Sequence, residues 1–507
     1  MAMSHTAHAA LCAELRDIGI IGSLGALLGW DEQVIQPKAD SAKAFRADQM
    51  AFVAALQHQR ATSKKLGELI AAAEAEAKGQ DLHSDAAVVA RNARRDYDRA
   101  TKLPASLVEE MAKTEVLGQN AWAEARKNAD YPAFKPWLAK WYDLKRQEVK
   151  CVGYKDHPYD ALLDQFEPHE TTAAVRQVFE QLREPLVELV AKIGASSRKA
   201  PVEIMERAYP VPAQEAFGRA AAAAVGFDFN AGRLDVSVHP FCSGLAVGDT
   251  RITTRYHEHH FNDAFFGVLH ETGHALYEQG LPKAANVGTA LGESISLGIH
   301  ESQSRMWENL VGRSRSFWTY FLPQARAAFP KTLEGVSEDQ WHFAVNAVQP
   351  SFIRVEADET TYNLHILIRF ELEQLLISDQ LGVDDVPAAW NDRYKKYLGI
   401  TPPDAAKGCL QDVHWSAGLI GYFPTYTLGN LYAAQFFEQA RKDLGDLDSM
   451  FARGEFRPLL EWLRHHIHRH GRRYSARELV QLVTGSDLSA EPLLRHLKDK
   501  AAELYGV

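Results

Sequence analysis

Two histidines near the middle of the chain are spaced so that both can bind one metal ion. His270 and His274 stand four positions apart in the run HETGH, and Glu271 follows the first of them. Residues four apart on a helix lie one turn above each other on the same face, so both imidazoles can reach one zinc ion. Glu271 can then hold and deprotonate a water on the metal. The competing interpretation is a surface helix with two unrelated histidines.

The segment around this motif has the pattern of a helix. Its apolar positions form a stripe: Phe265, Phe266, Leu269 and Leu276. Asn262 or Asp263 can cap the amino end, and Gly280 followed by Pro282 predicts the carboxyl end. The sequence therefore predicts that the three polar residues of the motif lie on a helix.

A catalytic zinc ion usually takes three protein ligands and keeps one position for water. The next segment with an apolar pattern, 291–310, offers Glu293 and Glu301. Glu293 lies near the interval seen in thermolysin-like zinc peptidases, and Glu301 lies eight positions further on. On one helix these two side chains point in different directions, so only one can face the metal. Spacing alone does not decide between them.

Two other groups of histidines are weaker candidates for a metal site. The first, His257 to His260, comes just before the motif and is expected to be a loop or a strand edge. The second lies among arginines within 464–473 and is expected to be a solvated basic helix face. Its histidines are His465, His466, His468 and His470.

Composition argues for a globular protein that works away from nucleic acid and membranes. The 507-residue chain has 46% apolar residues and a net charge of -10, which opposes general nucleic-acid binding. Its four cysteines are scattered, which predicts a reducing compartment without disulfides. The apolar run 18–30 is too short to cross a bilayer and carries no basic leader, so we expect a buried helix and a cytoplasmic protein.

Helical periodicity dominates the remainder of the chain. Apolar spacing predicts a helix over 175–193 with a kink at Pro185, another over 63–78, and two helices within 477–505 that separate at 485–489. Ser106 and Glu109 predict a capping box for a helix that runs to Lys127. We find no repeat and no clear linker, which predicts one mainly α-helical domain, 1–507, with two lobes around a cleft.

Strand patterns are scarce and lie just before the motif. Alternation at 234–238 and more weakly at 252–254, with the turn-prone stretch 243–249 between them, predicts a small hairpin. An extended peptide could add to the edge of such a sheet. An irregular loop is the alternative.

An ordered set of motifs resembles the thermostable carboxypeptidase Taq family of zinc metallocarboxypeptidases. The resemblance covers nearly the whole chain. In order, the motifs are Gly29–Asp31, Tyr159–Phe166, His239–Phe241, Asp249–Thr253, His270–His274, His300–Gln303, Ile353–Asp358, Gly408–Trp415 and Gly421–Gly429.

This resemblance implies a fold, a cofactor and a reaction. The family fold is mainly α, two-lobed and neurolysin-like, with a deep central cleft. The resemblance implies Zn²⁺ on His270, His274 and Glu301, replaceable by Co²⁺, and gives Glu293 a supporting or structural role. It also implies a cytoplasmic homodimer that releases single C-terminal amino acids from peptides with broad specificity.

The resemblance and the chemistry together suggest roles for further residues. Glu271 is the expected general base, which then passes its proton to the leaving amine. A neutral donor should stabilise the oxyanion, and the candidates are Tyr422, Tyr426 and His239, with Tyr422 slightly preferred. A structural tyrosine in a glycine-rich turn is the alternative for either tyrosine.

A carboxypeptidase must also bind the free carboxylate at the end of its substrate. Arg354 suits that task because guanidinium binds carboxylates with a fork of donors. The competing interpretation is a buried ion pair of Arg354 with Glu356 or Asp358. Gln411 and His414 belong to a motif that the family places near the substrate. A second pair, Asp249 and Arg251, is expected to brace the cleft.

Three other functions are compatible with parts of the sequence. A zinc oligopeptidase would share the metal site, cut internal bonds and lack the carboxylate clamp. A helical binding protein without activity is opposed by the intact motif and Glu301. A nucleic-acid binder is supported only by the basic stretch 464–473 and is opposed by the overall acidity.

Overall fold

The structure is a computed structural model that describes residues 6–507. Helices form most of these residues, as predicted, and one small sheet accompanies them. The helices before the sheet are α1 (Ala7–Val34), α2 (Asp40–Ala61), α3 (Lys64–Ala77), α4 (Asp85–Lys102), α5 (Ala105–Lys127), α6 (Tyr131–Val152), α7 (Pro158–Leu163), α8 (Thr172–Ala195) and α9 (Val211–Val225).

In the part of the chain that the structure describes, eleven further α-helices follow the sheet. They are α10 (Phe261–Gly280), α11 (Leu297–Arg305), α12 (Arg315–Ala328), α13 (Glu338–Val345), α14 (Tyr362–Ile377), α15 (Val386–Leu398), α16 (Pro424–Leu444), α17 (Leu447–Ala452), α18 (Arg457–His466), α19 (Ala476–Thr484) and α20 (Glu491–Tyr505). A π-helical turn, Met306–Val311, continues α11. Among residues 6–507, no helix combines the length and the apolar character that crossing a membrane requires.

The sheet confirms the predicted β element but corrects its pairing. Its strands are β1 (Gly232–Val236), β2 (Cys242–Ala246) and β3 (Asp249–Thr254), in the order β1-β3-β2. β1 pairs with β3 in parallel, so the predicted hairpin is wrong. The hairpin joins β2 to β3, and the stretch predicted to be a turn contains β2. The reversal fits into two residues because Gly248 adopts a φ of +71°.

The motif helix α10 begins earlier than its polar residues predict. His260 precedes its first turn and makes no side-chain cap, while Asn262 and Asp263 lie inside that turn, so the predicted cap is wrong. Asp263 still places a carboxylate in the first turn, where it interacts favourably with the positive end of the helix dipole. The predicted end at Gly280 is confirmed.

An aromatic cluster behind α10 fixes the direction in which its polar face points. Phe261 and Phe265 stack with ring centroids 5.2 Å apart, and Phe265 lies 5.1 Å from Phe217 of α9 and 5.2 Å from Trp318 of α12. All four side chains are buried. Because this face is committed to the core, the two motif histidines must face the other way.

Local signals predicted most other helix ends. Ser63 caps α3, α8 continues through Pro185, and α19 ends at Gly485, whose φ is +73°. The predicted capping box at Ser106 is wrong, because α5 begins at Ala105 directly after Pro104. Proline supplies the fixed φ that starts the helix without a side-chain cap.

The first two helices are more exposed than the sequence predicts. The apolar run 18–30 is helical, but Ile20, Leu24 and Leu27 are 43%, 51% and 40% exposed, so the predicted burial is wrong. α2 contains no buried residue at all. α2 packs mainly against α1, which leaves apolar faces of both helices uncovered.

The two further histidine groups differ in environment. His257 to His260 form a loop, as predicted. The prediction of a solvated helix for the second group is wrong at His468, which is fully buried and lies 2.9 Å from the side-chain oxygen of Gln303. The chain turns there because Gly471 adopts a φ of +52°, where an added Cβ would lie 2.0 Å from the Leu291 carbonyl oxygen.

Candidate metal centre

Three side chains converge where α10 meets α11. The donor atoms of His270, His274 and Glu301 all lie within 4.8 Å of one another. Glu301 Oε2 is 3.6 Å from His270 Nε2 and 3.4 Å from His274 Nε2. Glu293 is exposed and lies in the loop before α11, so the two glutamates do not share one helix as the spacing argument assumed.

Close helix packing brings Glu301 to the histidines. An added Cβ on Gly273 of α10 would lie 2.5 Å from the Gln303 carbonyl oxygen, and one on Gly429 of α16 would lie 2.5 Å from Glu301 Cγ. Glycine is therefore required on both sides of α11. The buried Glu167 accepts hydrogen bonds from the Ser296 hydroxyl (2.8 Å) and the Gly298 amide (3.0 Å) at the start of α11, which fixes that end of the helix.

Outer partners orient both imidazoles. His270 Nδ1 lies 2.9 Å from Glu308 Oε2. His274 Nδ1 lies 2.6 Å from His300 Nδ1, and His300 Nε2 lies 2.8 Å from Glu278 Oε1. With a proton on His300 Nε2 and another on His274 Nδ1, this chain leaves His274 Nε2 free to bind a metal.

Arg305 balances the charges at the site. Its Nε donates to Glu301 Oε1 at 2.7 Å and its Nη1 donates to Glu308 Oε2 at 2.9 Å. Burial disfavours the charged form of Glu301 and of Glu308. The positive charge of Arg305 favours that form, and together with smaller contributions from other neighbours it outweighs burial. The pKa of Glu301 lies well below its usual value, and the pKa of Glu308 falls to about 2. Both are therefore carboxylates at neutral pH.

The donor set fits one divalent metal ion. Burial lowers the pKa of His274 to about 4, so its imidazole is neutral at pH 7. Burial also disfavours protonation of His270, but Glu301 and Glu308 outweigh it and raise its pKa. Two imidazoles and one carboxylate, each held by outer partners, form the donor set of hydrolytic zinc sites that keep an open position.

Glu271 lies beside these ligands and is almost fully buried, with 6% exposure. Burial, with a smaller contribution from the Glu301 charge, raises its pKa to about 7, although His270 acts in the opposite direction. A carboxyl with this pKa can take up and release a proton near neutral pH. The environment therefore suits the predicted general base.

The candidate oxyanion donors occupy different positions. Burial, followed by the Glu301 charge, raises the pKa of Tyr422 to about 12, so its phenol keeps its proton near the metal ligands. Tyr426 packs beside it at a tilt, with ring centroids 5.3 Å apart, and its hydroxyl lies 3.0 Å from His414 Nε2. His239 is exposed in the loop between β1 and β2.

Arg354 is buried, with 6% exposure, and its partner differs from the sequence alternatives. Its Nη2 lies 2.9 Å from Asp412 Oδ1, and its Nη1 donates to the Tyr362 hydroxyl at 2.9 Å. The alternative pairing with Glu356 or Asp358 is wrong. Asp358 instead accepts hydrogen bonds from backbone amides at the start of α14.

A second arginine, which sequence reasoning missed, shares this carboxylate. Arg369 has no exposed surface and donates to Asp412 Oδ2 from Nη2 at 2.6 Å. Gln411 Oε1 accepts from Arg369 and from the Arg354 amide, both at 2.8 Å. Burial lowers the pKa of the neighbouring His414 to about 3, so it is neutral. Two cations and one anion leave this buried group with a net positive charge.

Three residues around the metal ligands were also missed, although the sequence offered a spacing signal for each of them. Arg305 and Glu308 follow Glu301 by four and seven positions, which places them on the same helix face. Glu278 follows His274 by four positions in the same way. Arg251 and Asp249, which were expected to brace the cleft, form an ion pair at 2.8 Å within β3, and Arg251 also lies 4.3 Å above the ring of Trp30.

Comparisons with known proteins identify the family of the chain. The family model described as carboxypeptidase Taq (M32) metallopeptidase matches residues 10–501. Thermostable carboxypeptidase 1 of Thermus thermophilus is 48% identical over 97% of both chains, and carboxypeptidase 1 of Bacillus subtilis is 39% identical over 95% of both. The crystal structure of the M32 carboxypeptidase from Deinococcus radiodurans R1 superposes with a TM-score of 0.94 at 41% identity, covering 98% of this chain and 99% of that chain.

Proposed function

The chain belongs to the carboxypeptidase Taq (M32) family of metallopeptidases, and we propose that it removes single C-terminal amino acids from peptides with broad specificity at one zinc ion. Metallocarboxypeptidase activity follows from the family. The identity of the metal, its ligands and the residue roles are our proposal. The observation that carries it is the convergence of His270, His274 and Glu301 beside the buried Glu271.

Each side chain around the site has a separate role in hydrolysis. A divalent metal, when bound, supplies a Lewis acid that polarises the scissile carbonyl and lowers the pKa of a water ligand. Glu271 accepts the proton of the attacking water and delivers it to the leaving amine. The Tyr422 phenol donates a hydrogen bond to the oxygen on which negative charge develops. Arg305 holds Glu301 and Glu308 in place throughout.

The donor set supports zinc as the resident ion. Imidazole and carboxylate ligands in a three-donor site are typical of hydrolytic zinc centres, and cobalt tolerates the same donors. The outer partners support this proposal, because His270 and His274 both have their Nδ1 atoms engaged and their Nε2 atoms near Glu301.

The net positive charge around Asp412 supports recognition of a free C-terminus. A substrate carboxylate would balance the buried group formed by Arg354 and Arg369 with Asp412. Arg354 lies nearer to the predicted oxyanion donors, with its guanidinium carbon 4.9 Å from the ring centre of Tyr426. In our proposal, His414 and Gln411 hold this cluster in position and do not bind the substrate. The side-chain amide of Gln411 donates hydrogen bonds to backbone carbonyls within the protein.

Replacing Arg354 with methionine is expected to lower kcat/KM for free-acid peptides by about 10- to 100-fold, the effect of losing one charged hydrogen bond. An amidated copy of the same peptide should already be a poor substrate for the wild type, and the variant should reduce its cleavage little further. Arg393→Met, which removes an arginine bound to Glu371 elsewhere, is the matched control. The measurement is a mass-spectrometric time course on both peptides.

The same time course tests the main alternative. A ladder that loses one residue at a time from the free C-terminus supports a carboxypeptidase. Internal fragments formed equally from both peptides would identify an oligopeptidase and remove Arg354 from its role. If the Arg354→Met variant keeps its selectivity for the free acid, Arg354 does not bind the substrate carboxylate. The carboxypeptidase activity itself would remain supported.

The uncovered faces of α1 and α2 support a homodimer. Phe45 and Phe52 of α2 are 65% and 71% exposed, beside the exposed apolar residues of α1. α2 alone is about 33 Å long at 1.5 Å per residue, so pairing two such hairpins can bury the area that a stable dimer needs. A second copy of this chain is the occupant that we propose.

Phe45→Glu with Phe52→Glu is expected to convert the dimer into monomers, because it places charges inside the proposed apolar interface. Val116 of α5 is 63% exposed on another helix, so Val116→Glu is the control that should stay dimeric. Sedimentation velocity measures both. A wild type that sediments as a monomer, or a dimeric double variant, contradicts this interface.

We also propose that the protein acts in the cytoplasm. All four cysteines are free in the structure, which suits a reducing compartment. Fractionation of cells that express the tagged protein tests this, and recovery from the culture medium would contradict it.

A further inference from the structure

A cavity of about 480 Å³ lies between α4, α6 and the start of α11. Phe166 and Leu297 line it, and the Leu297 amide donates to the Phe166 carbonyl oxygen at 3.0 Å. Leu297 is the first residue of the helix that carries Glu301. At 1.5 Å per residue, this wall of the cavity is about 6 Å along the helix from the metal ligand.

Ring contacts connect this cavity with the candidate catalytic residues. The Phe166 ring meets the Tyr422 ring edge-on, with centroids 5.1 Å apart. The ring centroid of Tyr422 lies 5.3 Å from that of Tyr426. The guanidinium carbon of Arg354 lies 4.9 Å from the ring centroid of Tyr426. The row therefore has Arg354 at one end, Tyr422 within it and the cavity at the other end. A substrate whose carboxylate lies at Arg354 extends its upstream residues toward the cavity.

The cavity is positively charged although the chain is acidic overall. Its lining includes four cations: Arg95, Arg99, Lys145 and Arg472. Within ion-pair distance, these cations contact three carboxylates: Asp96, Glu148 and Asp164. Counting direct contacts only, the cations exceed the carboxylates by one, in a chain whose net charge is -10. The carboxyl of Glu293, next to the lining residue Ser294, interacts with Arg472 from beyond ion-pair distance.

Arg472 is the cation least committed to the protein. Its Nη1 lies 3.5 Å from Asp96 and its Nε donates to the Ser294 carbonyl at 3.2 Å, whereas each of the other three cations has an ion-pair contact of 3.0 Å or less. Arg95 Nε is buried and has no hydrogen-bond partner in the described part of the chain. Lys145 and Glu148 form a buried pair at 2.8 Å that is already satisfied. An incoming carboxylate would therefore meet Arg472 first.

We propose that this cavity is a subsite for an acidic side chain at the third or fourth residue from the C-terminus of the substrate. An extended peptide advances about 3.3 Å per residue, so a residue two positions upstream of the scissile bond spans the distance from the metal ligands to the cavity. Arg472 binds the side-chain carboxylate and sets the preference. This inference rests on the carboxypeptidase function proposed above.

The test uses free-acid peptides that are identical except at one position. That position is the third or the fourth residue from the C-terminus, and it holds Glu, Gln or Lys. Wild-type kcat/KM is expected to be about 10-fold higher for Glu than for Lys at one of these positions, corresponding to about 1.4 kcal/mol. Arg472→Gln should remove most of this preference. Arg472→Glu should reverse it in favour of Lys, a gain that misfolding cannot produce.

Arg473 provides the matched control. It is the adjacent arginine and is equally exposed, at 24% against 25% for Arg472, but it binds Asp85 and the His83 carbonyl outside the cavity. Arg473→Gln should keep the wild-type preference. Equal rates for Glu and Lys peptides in the wild type, or an unchanged preference in Arg472→Glu, would overturn the subsite. Failure to release single residues from any peptide would instead reject the carboxypeptidase function.

Discussion

Glu271→Ala is expected to lower kcat/KM by about 10³-fold while the bound metal is retained, since general acid–base groups contribute about 10²- to 10⁴-fold. The side chain is buried beside the metal ligands, and its pKa of about 7 suits proton transfer in both directions. Removing it leaves His270, His274 and Glu301 in place, so metal binding should persist. Peptide turnover and metal content by mass spectrometry are measured on the same preparation.

Two variants make the result specific. Glu271→Asp keeps a carboxylate but moves it back by one methylene group, so we expect activity between that of the alanine variant and the wild type. Glu258→Ala changes an exposed glutamate in the loop before α10 and should leave activity unchanged. If Glu271→Ala keeps more than about a tenth of the activity, it is not the general base. If the metal is lost together with activity, Glu271 serves the site structurally.

Glu301→Ala is expected to weaken zinc binding by more than about 100-fold and to abolish turnover, because the loss of a ligand exceeds the 10- to 100-fold effect of losing an outer partner. It also removes one of the two buried carboxylates, Glu301 and Glu308, that Arg305 and His270 both contact. Zinc retained after dialysis against a chelator measures the affinity, and direct metal analysis of the purified protein identifies the ion.

Glu293→Ala decides between the two glutamates that spacing left open. Glu293 is exposed and lies outside α11, so its removal should change neither zinc retention nor turnover. The opposite pattern, with zinc lost from Glu293→Ala and retained in Glu301→Ala, would show that the third ligand is Glu293. If the preparation contains a different metal in stoichiometric amount, zinc is not the resident ion, but the proposed ligands are unaffected.

Local sequence was sufficient wherever an interaction spans one or two helical turns. His270, Glu271 and His274 are held in register by the geometry of a single helix, so their spacing predicted their arrangement. The end of α10 at Gly280 and the break before α20 were predictable for the same reason, because proline and glycine act on the backbone around them. The family motifs extended this prediction to Glu301, although not by geometry.

Tertiary structure decided everything that depends on which distant segments meet. Arg354 pairs with Asp412, 58 positions away, rather than with the nearby Glu356 or Asp358. β3 is the central strand, so its two edges pair with β1 and with β2. The apolar face of α1 is exposed because α2 covers only part of it, and His468 is buried because Gly471 turns the chain inward. Periodicity shows that a side chain has a preferred face, but only packing determines what that face meets.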